Sequence, residues 1–235
     1  MAWIRLNHIL TSSTPLYGDG SIAISRIRDM HSGDTSNNSA LAFPAHSGTH
    51  VDAPSHFDPA GVSLDRLPTG YWQVARPFLI DVPCRPGDII RLAAVRSLLE
   101  SVPVDCDFLL LRTGAEQWRT DRCDDYRMRG PGIAADVAVW LRRHRATRFL
   151  GVDCISISSF AHRAEGREAH RAFLGPLAGA SPPILLIEDM ALQGLDGPPE
   201  AVQLAPLLFE NADGAPVSVI ALVGDNKDVR SLGHG

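Results

Sequence analysis

Short apolar runs recur along the chain at residues 21–27, 41–45, 78–82, 108–112, 148–153, 183–188 and 217–223. Each has strand length and is bounded by turn-forming residues. The runs FLLLR, FLGVD, PILLIE and VSVIALVG are almost uninterrupted by polar residues, which predicts strands covered on both faces. Between some of them the pattern changes to helical spacing. Residues 90–100 (IRLAAVRSLLE) have the composition of a helix, with Gly87-Asp88 placed to open its first turn. Residues 134–145 (AADVAVWLRRHR) place Asp136 early and arginines late, an order that suits the helix dipole. A third helix is predicted over 163–174, ending near Gly175-Pro176. This alternation predicts an α/β protein with a mixed sheet or barrel at its centre.

No repeat, low-complexity block or long linker interrupts the 235 residues, so one domain over 1–235 is expected. A net charge of −5 gives no polyanion-binding face, and Arg142, Arg143 and Arg145 read as a solvated helix face. Nucleic acid is therefore not an expected partner. No apolar run approaches the roughly 20 residues that span a bilayer. No apolar leader follows Met1-Ala2-Trp3-Ile4-Arg5, and a cytoplasmic protein without membrane contact is expected. The four cysteines, Cys84, Cys106, Cys123 and Cys154, are scattered and read as free thiols. GxGxxG, GxxxxGK[ST] and GxSxG are all absent, which removes the usual dinucleotide, nucleotide and serine-hydrolase signals.

The chemistry concentrates in residues 46–57, His-Ser-Gly-Thr-His-Val-Asp-Ala-Pro-Ser-His-Phe. His46, His50, Asp52 and His56 share parity, so in an extended segment they project to one side. Three imidazoles and a carboxylate suit a borderline-soft divalent metal with a position left open for water or substrate. Gly48 lets the backbone bend, Pro54 stiffens the exit, and Thr49 is placed to orient a neighbouring ligand. Glu188 closes the apolar run PILLIE, where a buried carboxylate needs an arginine or a metal. Asp153 and Asp189 read as hydrogen-bonded structural acids. Ser156 and Ser158 have no assigned base and read as structural. Phe43, Tyr71, Trp72 and Phe160 are either pocket-lining or core aromatics, and residues 16–20 are either pocket wall or surface turn.

The stretch HSGTHVDAPSHF resembles the HxGTHxDxPxH motif of the cyclase family of metal-dependent hydrolases, which includes bacterial kynurenine formamidases (arylformamidases) and isatin hydrolases. LLRTG at 110–114, GVDCIS at 151–156 and LLIEDM at 185–190 resemble later blocks of that family. The resemblance implies a swivelling β/β/α fold with a central mixed, barrel-like sheet flanked by helices, and a homodimer or higher homo-oligomer. It implies that His46, His50 and Asp52 are metal ligands, that His170 and Glu188 complete a second site bridged by Asp52, and that His56 is the acid/base. Because the segment between His170 and Glu188 is longer than the family pattern, His162 is the rival to His170. One or two zinc or manganese ions are the implied cofactors.

The implied reaction is hydrolysis of the C–N bond of an aryl or cyclic amide. The leading substrate is N-formyl-L-kynurenine, cleaved to L-kynurenine and formate in tryptophan catabolism. A cyclic-amide or lactone hydrolase, a polyketide-type cyclase and a non-catalytic metal- or ligand-binding protein are the alternatives.

Overall fold

The apolar runs become the middle of a nearly closed, barrel-like mixed sheet. The molecule is described by a computed structural model over residues 1–180 and 182–224. Along the chain the strands and helices are β1 (Ala2–Arg5), β2 (Ala23–Arg28), β3 (Asn38–Ala42), β4 (His50–Asp52), β5 (Gln73–Val74), β6 (Pro77–Asp81), β7 (Ile89–Ile90), α1 (Leu92–Ser101), β8 (Phe108–Arg112), α2 (Trp118–Asp121), α3 (Cys123–Arg129), β9 (Gly132–Ile133), α4 (Ala135–His144), β10 (Phe149–Val152), α5 (Arg163–Leu174), β11 (Leu185–Glu188), β12 (Ala201–Pro206) and β13 (Gly214–Val223). The large sheet runs β5-β12-β13-β4-β11-β10-β8-β6, and β1 also pairs with β13. Strands β6, β8, β10 and β11 are parallel; β4, β13, β12 and β5 continue the sheet antiparallel.

Period-two alternation explains why the parallel strands are apolar throughout. Leu109, Leu111, Leu150, Val152 and Leu186 face one core, shared with Val95 and Leu99 of α1, Val137 and Leu141 of α4, and Phe173 of α5. Phe108, Leu110, Phe149, Leu185 and Ile187 face a second core with Val51, Val202, Leu204, Val219 and Ala221. Both faces are thus buried, as the helix-covered parallel half requires. Strand β13 departs from the expected two-sided cover: Ser218 and Ile220 point to solvent between buried Val217, Val219 and Ala221. It lies in the antiparallel half, where one face of the sheet can meet water.

The helices differ from expectation in two details. Asp88 accepts from Arg85 N–H (2.7 Å) and closes a turn before β7, so helix α1 begins at Leu92, whose N–H donates to Asp136 instead (3.2 Å). Of the expected solvated arginines only Arg143 is exposed; Arg142 and Arg145 turn back onto the protein. Arg142 is buried and donates to the carbonyls of Ala172 (2.7 Å) and Gly175 (2.8 Å), while Arg145 donates to Leu99 and Glu100. They satisfy the unpaired carbonyls at the ends of α5 and α1, a role cations fill well at helix C-termini. All four cysteines are free. Among the described residues no helix is long and apolar enough to cross a membrane.

Candidate metal centre

Three elements bring the site together. Strand β4 lies between β11 and β13, with His50 opposite Glu188 and Asp52 opposite Leu186 across the β11 ladder. Val51 points into the second core, so His50 and Asp52 point the other way, onto the face that α5 covers. Glu188 shares that face with Leu186, two residues away, and α5 supplies His170 from above. The same-parity reading applies to His50 and Asp52 only, because β4 is three residues long. His46 reaches the cluster across a bend at Gly48, whose φ of +62° favours glycine. His56 reaches it from a 3-10 turn over Pro54–His56, in which Pro54 occupies the first position.

The inner group is almost dry. His50, Asp52, His170 and Glu188 are 4%, 1%, 5% and 3% exposed. His50 Nε2 lies 3.4 Å from both Asp52 Oδ1 and Glu188 Oε2, and His170 Nε2 lies 3.6 Å from Asp52 Oδ2 and 3.5 Å from Glu188 Oε1. These are long for hydrogen bonds. The His50 distances match ligands around a common centre, since donors bound at 2.0–2.2 Å in tetrahedral geometry sit roughly 3.3–3.6 Å apart; His170 approaches the opposite oxygens of the same two carboxylates. The far nitrogens are fixed. His50 Nδ1 meets Gly48 O and His170 Nδ1 meets Gly166 O, both at 2.8 Å. A carbonyl only accepts, so each Nδ1 carries the hydrogen and each Nε2 is turned inward as a donor atom. Ser156 Oγ (3.0 Å) and Ile157 N–H (2.7 Å) donate to Glu188 Oε1 and hold that carboxylate. Among the described residues no arginine pairs with Asp52 or Glu188, and histidines are their only ion-pair partners. Two buried carboxylates without a fixed cation fit a divalent ion.

An outer group lies nearer solvent. One donor atom each from His46, Asp52 and His56 falls within 4.8 Å of the others, as does one each from His50, Asp52 and Glu188. Asp52 belongs to both sets. The rings of His46 and His56 are 4.0 Å apart, and Phe57 stacks on His170 at 4.6 Å.

Without an ion the site is charged in a defined sense. Burial disfavours the His50 imidazolium, but Asp52 and Glu188 outweigh it and hold the pKa well above its usual value. His46 and His170 are raised in the same way, against burial, by Asp52 and by Glu188 respectively. Burial pushes both carboxyls up, yet the histidines win: Asp52 is held well below its usual value and Glu188 falls to about 2. His56 is lowered, first by burial.

A pH prediction follows from these directions. The raised histidines stabilise the metal-free fold fully below about pH 6.5, and that contribution is lost as pH rises through their folded values. The lowered carboxyls contribute above about pH 4.5 and lose it as pH falls towards their folded values. The chelated protein is expected to melt at a lower temperature at about pH 8.5 than at about pH 6, and added divalent metal to raise the melting temperature most at the alkaline end. A flat profile between those pH values in thermal melts would contradict the assignment.

The remaining predicted residues divide clearly. His162 is exposed on the turn before α5 and stays outside the cluster. The long segment after His170 leaves the helix at Gly175 and returns at Ile184, whose N–H donates to Phe173 O (2.9 Å), so its extra length does not displace His170. Thr49 does not orient a ligand side chain. Its hydroxyl donates to Asp189 O and accepts from His8 N–H (3.0 Å), tying the backbone after Glu188 to the N-terminal segment. Asp153 accepts from Thr113 N–H (2.7 Å), Thr113 Oγ1 (2.6 Å) and Gly114 N–H (2.8 Å), a structural acid. Asp189 is one too, paired with Arg119. Tyr71 and Trp72 pack on Phe149. Tyr17 bonds Ser158 (3.1 Å) and meets Phe160 edge-on, which places residues 16–20 beside the strand-end loop.

Asp213 was not foreseen. Its Oδ2 lies 3.1 Å from His46 Nε2 and 3.4 Å from His56 Nδ1. The local signal was Asp-Gly before an apolar strand, which reads only as a turn.

Comparison with known proteins agrees with this architecture. "Cyclase-like protein 2" of Oryza sativa subsp. japonica is 29% identical over 227 residues, covering 93% of this chain and 78% of the relative. Among solved structures, isatin hydrolase A from Labrenzia aggregata, bound to benzyl benzoate, superposes with a TM-score of 0.76 at 24% identity, covering 94% of this chain and 93% of that one. An isatin hydrolase bound to the product analogue thioisatinate gives 0.77 at 19% identity, covering 94% and 92%. These structures share the fold. The sequence profile of the Cyclase family matches residues 4–159, a span that holds the whole 46–57 segment, and the chain belongs to that family.

Proposed function

We propose that the chain is a metal-dependent hydrolase that cleaves the C–N bond of an aryl amide, with N-formyl-L-kynurenine, giving L-kynurenine and formate, as the leading substrate. The observation that carries this reading is the convergence of His50 Nε2, His170 Nε2, Asp52 and Glu188 at 3.4–3.6 Å, with both Nδ1 atoms pinned to carbonyls. Zinc or manganese held there lowers the pKa of water from 15.7 to about 7 and polarises a carbonyl.

The chain's own groups do the rest. His56 is half-buried, and burial lowers its pKa, so it is a neutral base near pH 7. It takes the proton from the attacking water and returns it to the departing aryl nitrogen. Phe57, stacked on His170 and edge-on to His56, offers an apolar ring beside that histidine. An aryl amine leaves more readily than an alkyl amine, so a single histidine suffices as acid. A cyclic aryl amide is the second reading, favoured by the fold shared with isatin hydrolases. It breaks the same kind of bond.

The test is formate release from N-formyl-L-kynurenine by zinc- or manganese-loaded protein, run beside ring opening of isatin and of a lactone. His56→Ala is expected to keep the inner ion and lose about 10²–10⁴-fold in rate. Full activity of that variant, or turnover of neither amide by the loaded protein, would overturn the reading.

A further inference from the structure

Asp213 is carried to the rim of the site by backbone pairing. Its carbonyl accepts from Ala53 N–H (2.9 Å), the carbonyl of Ala212 accepts from Leu64 N–H (2.9 Å), and Gly214 pairs with Asp52 across β13 and β4. Gly214 has no side chain, and a Cβ there would overlap the His46 ring. The ring therefore lies against the backbone, with Nε2 directed to Asp213 Oδ2 (3.1 Å) and Nδ1 to Asp52 Oδ1 (2.8 Å). His56 stacks on that ring and turns Nδ1 towards the same Asp213 oxygen (3.4 Å).

A carboxylate only accepts hydrogens, and a neutral imidazole has one to give. If His46 gives its hydrogen from Nε2, Asp213 Oδ2 accepts it at 3.1 Å and the lone pair falls on Nδ1, beside Asp52. His56 Nδ1, at 3.4 Å, is too far from that oxygen for a good hydrogen bond and meets its charge only. Deeper in the site Gly48 O and Gly166 O hold His50 and His170 by the same logic, with backbone carbonyls as the acceptors. Carboxylates commonly fill this role for metal-binding histidines.

We propose that Asp213 is a positioning residue whose carboxylate sets the tautomer of His46, presenting His46 Nδ1 to a metal beside Asp52. The proposal rests on the metal-hydrolase reading and deepens it.

The experiment uses the full chain with zinc, and compares Asp213→Ala and the isosteric Asp213→Asn with the parent. Zinc affinity is measured by competition with a chromogenic chelator, and histidine tautomers by imidazole 15N NMR. The zinc-loaded parent is expected to show His46 with its hydrogen on Nε2. In Asp213→Ala that signal should weaken and zinc affinity should fall by about 10–100-fold, while Asp213→Asn, whose amide oxygen still accepts a hydrogen, should lose less. Unchanged zinc affinity and an unchanged His46 tautomer in Asp213→Ala would overturn the role of Asp213 while leaving the hydrolase reading in place. A parent protein that takes up no zinc, manganese or other divalent ion would overturn both.

Discussion

Asp52→Asn is expected to lose binding at both metal positions, and with it at least about 10³-fold in turnover, because water without an ion returns from a pKa of about 7 to 15.7. The size of the effect follows from geometry. Oδ1 of Asp52 faces His46 Nδ1 (2.8 Å) and His50 Nε2 (3.4 Å), while Oδ2 faces His170 Nε2 (3.6 Å). Among the described residues no other belongs to both candidate metal groups. Asparagine keeps the shape and the backbone pairing to Leu186 and Gly214, but replaces one donor oxygen with an amide NH₂ that has no lone pair to give. The measurement is metal content after equilibrium dialysis, alongside turnover of the amide. A variant that retains the parental metal content and rate would show that Asp52 is not the shared ligand.

Arg119→Met is expected to cost about 3–5 kcal/mol of stability, the usual consequence of leaving a buried charge without its partner. Asp189 is 1% exposed, and its carboxylate accepts from Arg119 Nε and Nη2 at 2.8 Å each. Tyr126 donates its hydroxyl to the same carboxylate (2.5 Å). Burial, then the charge of Asp189, holds the Tyr126 pKa well above its usual value, so the phenol remains a donor. Tyr126 alone cannot neutralise the charge once the guanidinium is gone. The network also fixes the turn after Glu188, since Asp189 has a φ of +53° and its carbonyl takes the Thr49 hydroxyl. Urea unfolding monitored by tryptophan fluorescence is the check. Arg119→Met combined with Asp189→Asn should lose less than the sum of the single losses, since the double variant buries no unpaired charge. A single-variant loss under about 1 kcal/mol would contradict a buried, stability-bearing Arg119–Asp189 pair.

Local pattern explains the elements that the sequence made legible. FLLLR is a strand over the residues expected, because an apolar run of that length between turn residues has few other ways to be buried. The third helix ends at Leu174 as Gly175-Pro176 suggested. The density of histidine between 46 and 57 marked the candidate site, the end of the apolar run PILLIE pointed to Glu188, and the family resemblance added His170. What stayed hidden depends on long-range register. Gly214 lies opposite Asp52 through a pairing between residues 162 positions apart in the chain, and that pairing is what brings Asp213 to His46. Arg119 was equally silent, since nothing beside it signals a partner seventy residues downstream. The solvent face of β13 was misread because apolar content alone does not separate a strand covered by helices from one at an exposed sheet face.

Anomalous diffraction from crystals of the zinc- or manganese-loaded protein is expected to show a peak between His50 Nε2, Asp52, Glu188 and His170 Nε2, at about 2.0–2.2 Å from its His50, Asp52 and Glu188 donors. A loaded crystal with no anomalous peak between those four side chains, or with its ion bound elsewhere, would contradict that metal centre.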